Sequence, residues 1–212
     1  MSTDVLTLTQ LLSPSFPVGA FAYSHGLEAA IDAGLVGDGL SLQDWLETLV
    51  SQGSAYSDAV FLNAAYAAPR PEVAAIDMQA RAFAASRERL LESDLQGAAF
   101  CDTLADVWGL ELGRLTYPVA VGRAASELDI DPHLTTALYL QAFVGNLCAA
   151  AMRLVPLGQT GGQLVQAALK PLCLSVAERT KGAILADLYA NSFLSDIMAM
   201  RHEKQYARVF RS

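Results

Sequence analysis

Between Asp131-Pro132 and Pro156 the chain is apolar but interrupted: the window from Ala137 to Met152 is broken by Gln141 and Asn146 and closes on Arg153. Bounded by prolines and too long for an ordinary strand, it reads as a helix. Aspartate before proline is a helix start with a mechanism, because the carboxylate caps free N–H groups and proline at the first position forfeits no hydrogen bond. The helix is expected to run to about Leu154 and to stop at Pro156. It falls short of the roughly 20 predominantly apolar residues that a bilayer crossing needs, which makes it a core helix.

The remaining chain follows the same logic. Alanine and leucine are abundant and apolar positions recur at three and four, the period of an amphipathic helix. Gly34, Gly37 and Gly39 mark a turn, and Ser41 with Asp44 three residues on resembles a capping box opening the next helix. Pro69-Arg70-Pro71 breaks a helix and Glu72 begins another. From Glu72 to Trp108 the pattern is nearly continuous, with a kink expected near Ser86 or Ser93 and an end at Gly109 and Gly113. Thr160 is placed to cap the following segment, Pro171 to break it or open a new turn, and a last helix or pair of helices covers Ala183 to the terminus. Without a linker or a composition shift, residues 1–212 read as a single all-helical domain, a bundle. One short echo joins Phe16-Pro17-Val18-Gly19 to Tyr117-Pro118-Val119-Ala120.

Composition narrows the function. A chain of 212 residues buries roughly 70% of the surface its unfolded form exposes, so it needs neither disulfides nor metals to be stable. With 53% hydrophobic residues, 17% charged and mean hydropathy +0.31, some apolar surface is expected to be covered by a partner, most simply a second copy. The net charge of −8 repels phosphate backbones and argues against nucleic acid. Cys101, Cys148 and Cys173 are far apart in apolar stretches and read as buried free thiols of a reducing cytoplasm. Met1-Ser2-Thr3-Asp4 lacks the basic region of an export signal, so neither export nor a membrane is expected.

No catalytic constellation emerges. The stretch Gly158 to Gln163 lacks the Gly-Lys-Ser/Thr of a phosphate loop, its nearest lysine being Lys170. His202-Glu203 starts a zinc-protease motif that Tyr206 fails to complete, and three scattered histidines do not close a metal site. Ser24-His25 are sequence neighbours without the turn of a nucleophile elbow. Arg87, Arg89, Glu92 and Asp94 read as a solvated helix face.

Two segments stand apart. In Ser13 to Glu28, prolines and glycines stiffen a connection carrying Phe16, Phe21 and Tyr23, which suits either a protein interface or a plug for the core. At the terminus, Arg201 to Ser212 carries a net +3, leaving −11 on the rest of the chain. Wound as a helix, it would place Arg201, Lys204, Arg208 and Arg211 on one side and Met198, His202, Tyr206 and Phe210 on another. Such a tail either docks on a partner or folds back on its own acidic body.

Through Ser13 to Glu28, Leu154-Val155-Pro156-Leu157-Gly158-Gln159-Thr160, and Met200-Arg201-His202-Glu203 with Gln205-Tyr206 and Arg208, the chain resembles the F-type urease accessory proteins over nearly its whole length. The resemblance implies an all-helical, homodimeric, cytoplasmic protein that is not an enzyme. It would act as a scaffold or chaperone in nickel insertion during maturation of apo-urease, with the D/H-type accessory protein and the nickel-carrying GTPase as partners. Nickel and GTP then belong to the GTPase, and this chain carries no cofactor. Partner-binding residues are expected at Phe16, Pro17, Gly19, Phe21, Tyr23 and His25, and at Met200, Arg201, His202, Glu203, Tyr206, Arg208 and Phe210, with residues 196–212 forming a docking segment. Phe21 falls at the position of an aromatic important for partner binding, and Arg208 at the arginine of the terminal docking segment. Deleting Arg201 to Ser212 is expected to spare the folded body and to abolish recruitment of the D/H-type partner. The alternative is an activator of the GTPase that supplies Arg87, Arg89, Arg201 or Arg208 in trans.

Overall fold

A computed structural model describes residues 2–212; Met1 lies outside the described residues. Among the described residues the regular elements are helical. In chain order they are α1 (Ser2–Leu11), α2 (Leu27–Asp32), α3 (Gly39–Gln52), α4 (Ser54–Ala67), α5 (Val73–Phe83), α6 (Arg87–Trp108), α7 (Tyr117–Glu127), α8 (Pro132–Leu154), α9 (Gly158–Arg179) and α10 (Phe193–His202), with short 3-10 turns between some of them.

The helix starts obey local chemistry, with one reassignment. Asp38, not Ser41, caps α3: its carboxylate accepts the Ser41 amide at 2.9 Å, and Ser41 Oγ accepts the Asp38 amide at 3.1 Å. Ser41 is therefore the third helical residue of the box, and Asp44 takes no part in it. Between Glu72 and Trp108 the chain breaks outright at Ala84, and Ser86 caps α6 by accepting the Arg89 amide at 3.1 Å. Gly109, at φ +67°, ends α6 in the left-handed conformation. α8 begins and ends where its prolines dictate, with Asp131 accepting the Leu134 amide at 2.7 Å. Although long and apolar enough to pass for a membrane span, α8 is mostly buried in the protein. α9 runs unbroken through Pro171, which is exposed, so the ring finds room and the missing donor faces outward.

The centre is α4, buried on most sides by α3, α7 and α8. α7 approaches it so closely that a Cβ on Gly122 would stand 2.1 Å from the Leu62 carbonyl oxygen. A polar knot fastens the far end: buried Asn63 donates to the Ala59 carbonyl at 2.8 Å and to Thr136 Oγ1 at 3.0 Å. The two echoing segments converge on one ring, for Phe100 lies 5.3 Å from Phe16 and 5.6 Å from Tyr117 between centroids. Cys101, Cys148 and Cys173 are buried free thiols, their pKa values pushed up by burial to about 11, 12 and 11.

Candidate docking site

The structure brings the two singular segments into contact. Phe16 plugs the core, packed between Phe100 and Trp108, and Val18 follows it inward. Gly19, at φ +70°, then turns the chain into a 3-10 turn over Ala20–Ala22 whose apex is Phe21, 71% exposed. Tyr23, Ser24 and His25 return to the interior, and Gly26 at φ +76° opens α2. A Cβ on Gly26 would come within 2.6 Å of the Ala199 backbone nitrogen, so α10 crosses α2 where only glycine leaves space.

The tail is not helical. α10 ends at His202; a turn follows, with Lys204 and Gln205 amides donating to the Arg201 and His202 carbonyls at 3.0 Å each. The helical stripes expected for residues 201–212 therefore do not form. Their residues run back along the first segment instead, where the Arg211 amide donates to the Ala22 carbonyl and the Ser24 amide to the Ser212 carbonyl, both at 2.8 Å. Ser24 Oγ also donates to that Ser212 oxygen, which removes it as a nucleophile paired with His25.

Three carboxylates hold this arrangement. Glu28, buried in α2, accepts the amides of Val209 at 2.7 Å and Phe210 at 2.9 Å. Its Oε2 lies 3.3 Å from His202 Nε2, while Glu88 Oε2 stands 2.7 Å from Nδ1 of the same fully buried ring. Glu88 also accepts from Arg208 Nη1 at 2.5 Å. Arg153 lies 4.5 Å above the Phe210 ring and donates to the Phe21 carbonyl at 3.3 Å, joining tail and apex. Glu203 caps α6 by accepting the Arg87 amide at 2.8 Å.

Beneath lies an ionic cluster. Glu92 meets His25 Nε2 at 2.7 Å, accepts from Ser212 Oγ at 2.5 Å, and is paired with Arg89. Burial opposes its ionisation, yet the Arg89 charge and the His25 and Ser212 contacts hold its carboxyl down at about 2. Burial lowers the His25 pKa, and the Arg89 charge adds to that effect. Asp58 accepts from Tyr139 at 2.8 Å and is pushed up to about 6, mainly by burial. Arg87 and Arg89 therefore do not share a solvated face, because Arg89 is turned into this cluster. Asp58, Arg89 and His25 separate two cavities of about 470 and 260 Å³, the larger reaching Phe21. Among the described residues no group of three or more His, Cys, Asp or Glu side chains is arranged to hold a metal ion.

Of the residues singled out from the sequence, Pro17, Phe21, Met200, Arg201, Glu203, Tyr206 and Arg208 are exposed and Gly19 is half-buried. Phe16, Tyr23, His25, His202 and Phe210 are buried within this chain, so they shape the surface from beneath instead of touching a partner directly. Sequence reasoning missed Glu28, Glu88 and Glu92 as the holders of the tail, although Glu28 closes the motif that begins at Ser13. It also missed the outer stripe of α10, where Phe193, Ile197 and Met200 are 70%, 45% and 50% exposed at i, i+4 and i+7.

A family model described as UreF matches residues 36–170. Along its whole length the chain is 53% identical to the urease accessory protein UreF of Roseobacter denitrificans, covering 96% of that protein. Over 99% of its length it is 48% identical to the urease accessory protein UreF of Ruegeria pomeroyi, covering 97% of it. It is 46% identical to the urease accessory protein UreF of Mesorhizobium japonicum, covering all of this chain and 97% of that one. Similarity of this degree across whole chains, together with an all-helical fold, establishes that the chain belongs to the UreF family of urease accessory proteins.

Proposed function

We propose that this chain is a non-enzymatic, homodimeric cytoplasmic scaffold that joins a D/H-type urease accessory protein to the nickel-carrying GTPase and so serves nickel insertion into apo-urease. The observation that carries this reading is the convergence of Phe21 and the tail: an exposed aromatic apex braced by Arg153, beside a terminal segment already ordered on Glu28 and Glu88. A docking element held in one conformation loses less entropy on binding than a free tail does. The stripe of Phe193, Ile197 and Met200 supplies apolar area beside it, with Arg201 and Tyr206 exposed nearby. Nickel is cargo in this scheme and GTP belongs to the partner.

The activator alternative is left with Arg87 and Arg201, both exposed. Arg89 is committed to Glu92, and Arg208 to Glu88, so either would have to abandon a carboxylate to reach a nucleotide. Mixing the purified chain with the D/H-type protein and the GTPase, followed by size-exclusion chromatography with light scattering, tests the scaffold. We expect one ternary species that Phe21→Ala weakens at least tenfold while the protein stays folded. Failure of the wild type to join either partner would overturn the scaffold reading.

A further inference from the structure

We propose that His202 is a doubly protonated clamp between α2 and α6, and that it makes the tail's hold on its own chain depend on a proton: the tail is fastened while the ring carries two protons and loosened when it loses one. The device belongs to this chain alone and stands whether or not a partner docks beside it.

His202 is the last residue of α10 and is fully buried. Its two ring nitrogens face carboxylates from two different helices. Nδ1 lies 2.7 Å from Glu88 Oε2 on α6, and Nε2 lies 3.3 Å from Glu28 Oε2 on α2. An ionised carboxylate only accepts hydrogen bonds, and a neutral imidazole has a single N–H to give. Both contacts are satisfied together only by the imidazolium. Neither carboxylate is free to supply the missing proton, because Glu28 already accepts the amides of Val209 and Phe210, one on each oxygen, and Glu88 Oε1 accepts from Arg208 Nη1. Charge gives the same answer. The two glutamate side chains are only 7% and 16% exposed and share one guanidinium, so a charged ring brings the group to neutrality. A neutral ring would leave one buried negative charge uncompensated.

The carboxylates that face the ring are the ones that hold the tail, so the proton count of His202 reaches residues 207–212. With Nε2 bare, Glu28 faces a lone pair and is pushed from the position in which it holds the Val209 and Phe210 amides. With Nδ1 bare, Glu88 is displaced in the same way, and Arg208 goes with it. The groups beneath are largely spent before pH 7: His25 has its pKa lowered from 6.5, Asp58 is pushed up only to about 6, and Glu92 is held down at about 2. A loosening of the tail between pH 7 and pH 9 is therefore not theirs.

Nitrogen NMR of the full-length chain at pH 7 reads the clamp directly. Both ring nitrogens of His202 are expected as N–H; a neutral tautomer with one bare nitrogen would overturn the proposal. Hydrogen-exchange protection of residues 207–212, corrected for the intrinsic pH dependence of exchange, is expected to fall at least tenfold from pH 7 to pH 9 while the core helices change little. Equal protection at the two pH values would overturn it as well. Glu88→Gln supplies an amide that can donate to a bare Nδ1 and keeps an oxygen for Arg208, so a neutral ring with its N–H on Glu28 then satisfies the site. In this variant the fall in protection should shrink to less than threefold, and a full tenfold fall in a folded Glu88→Gln chain would show that the proton acts elsewhere. Should the variant not fold, the nitrogen spectrum and the exchange of the unaltered chain decide the matter alone.

Discussion

Glu28 in α2 holds the amide of Phe210 at 2.9 Å across 182 residues of sequence, and with the adjoining oxygen it holds Val209 at 2.7 Å. One buried carboxylate thus acts as the acceptor for two successive backbone N–H groups, a strong arrangement because acceptor charge shortens and strengthens such bonds. Glu28→Gln keeps the shape but turns one oxygen into a donor facing a donor. We expect it to cost about 1–3 kcal/mol, and Glu28→Ala to cost at least as much, since the buried donors lose their acceptor. Because the tail can peel into water, the loss should appear first as faster hydrogen exchange over residues 207–212, ahead of any change in the core helices. Equal protection in wild type and Glu28→Gln would contradict it.

Removing the tail is a harsher test. Deleting residues 203–212 exposes the surface beneath Phe210, takes Arg208 from Glu88 and strips Ser212 from Glu92. Lost aromatic burial of about 1.5–3 kcal/mol, with buried acceptors left short of donors, should lower Tm by about 2–4 °C for each kcal/mol lost. The body should therefore be measurably less stable, in contrast to the expectation that deleting the tail would spare it. Differential scanning calorimetry of the full and shortened chains decides the point; identical Tm values would show that the tail contributes nothing to the fold.

Part of this arrangement was legible in the sequence. Helix identity was, because caps and prolines act within a few residues: Asp131-Pro132, Pro156, Ser86 and Gly109 all stand at boundaries. The choice between Asp38 and Ser41 as a cap was harder, since either side chain can begin a box and only the backbone angle at Asp38 decides. The conformation of the tail was beyond reach. Its helical stripes are real as a pattern, but Glu28, Glu88 and Glu92 outbid the local preference with bonds made across more than a hundred residues. Nothing local to Glu28 reveals that it will meet Phe210. The charge asymmetry between tail and body was the one visible signal, and it pointed both to a partner and to the chain itself.

Two glycines of the first segment separate conformation from space. Gly19 and Gly26 both have positive φ, but a Cβ on Gly19 meets nothing within 4 Å, whereas on Gly26 it meets the α10 backbone at 2.6 Å. Gly19→Ala should cost about 1–2 kcal/mol for the left-handed backbone alone. Gly26→Ala adds a backbone clash that no rotamer relieves, so it should cost at least about 1–3 kcal/mol more and loosen α10 and the tail together. Urea denaturation ranks the pair; equal midpoints would mean that α10 does not press on α2 as described.

The ionic cluster makes a signed prediction about pH. Burial raises the folded-state pKa of Asp58 from 3.8 to about 6, so between these values the folded chain binds more protons than the unfolded one. Stability from this group therefore falls as pH rises through that window and stays reduced above it. Glu92, held down at about 2, works the other way: its contribution is present above about 4.5 and is lost as pH falls through 2. His25, with its pKa lowered by burial, also favours the fold as pH rises toward 6.5. The three overlap in a wild-type profile, so the difference between two proteins isolates Asp58. Asp58→Asn keeps an oxygen for the Tyr139 hydroxyl while removing the titration. Relative to wild type the variant should gain stability from pH 4 to pH 7, by at most about 3 kcal/mol, the equivalent of the two-unit shift. Urea unfolding of both proteins at the two pH values measures this, and a difference that is flat, or that favours the wild type at pH 7, would show that Asp58 is ionised in the fold at no cost.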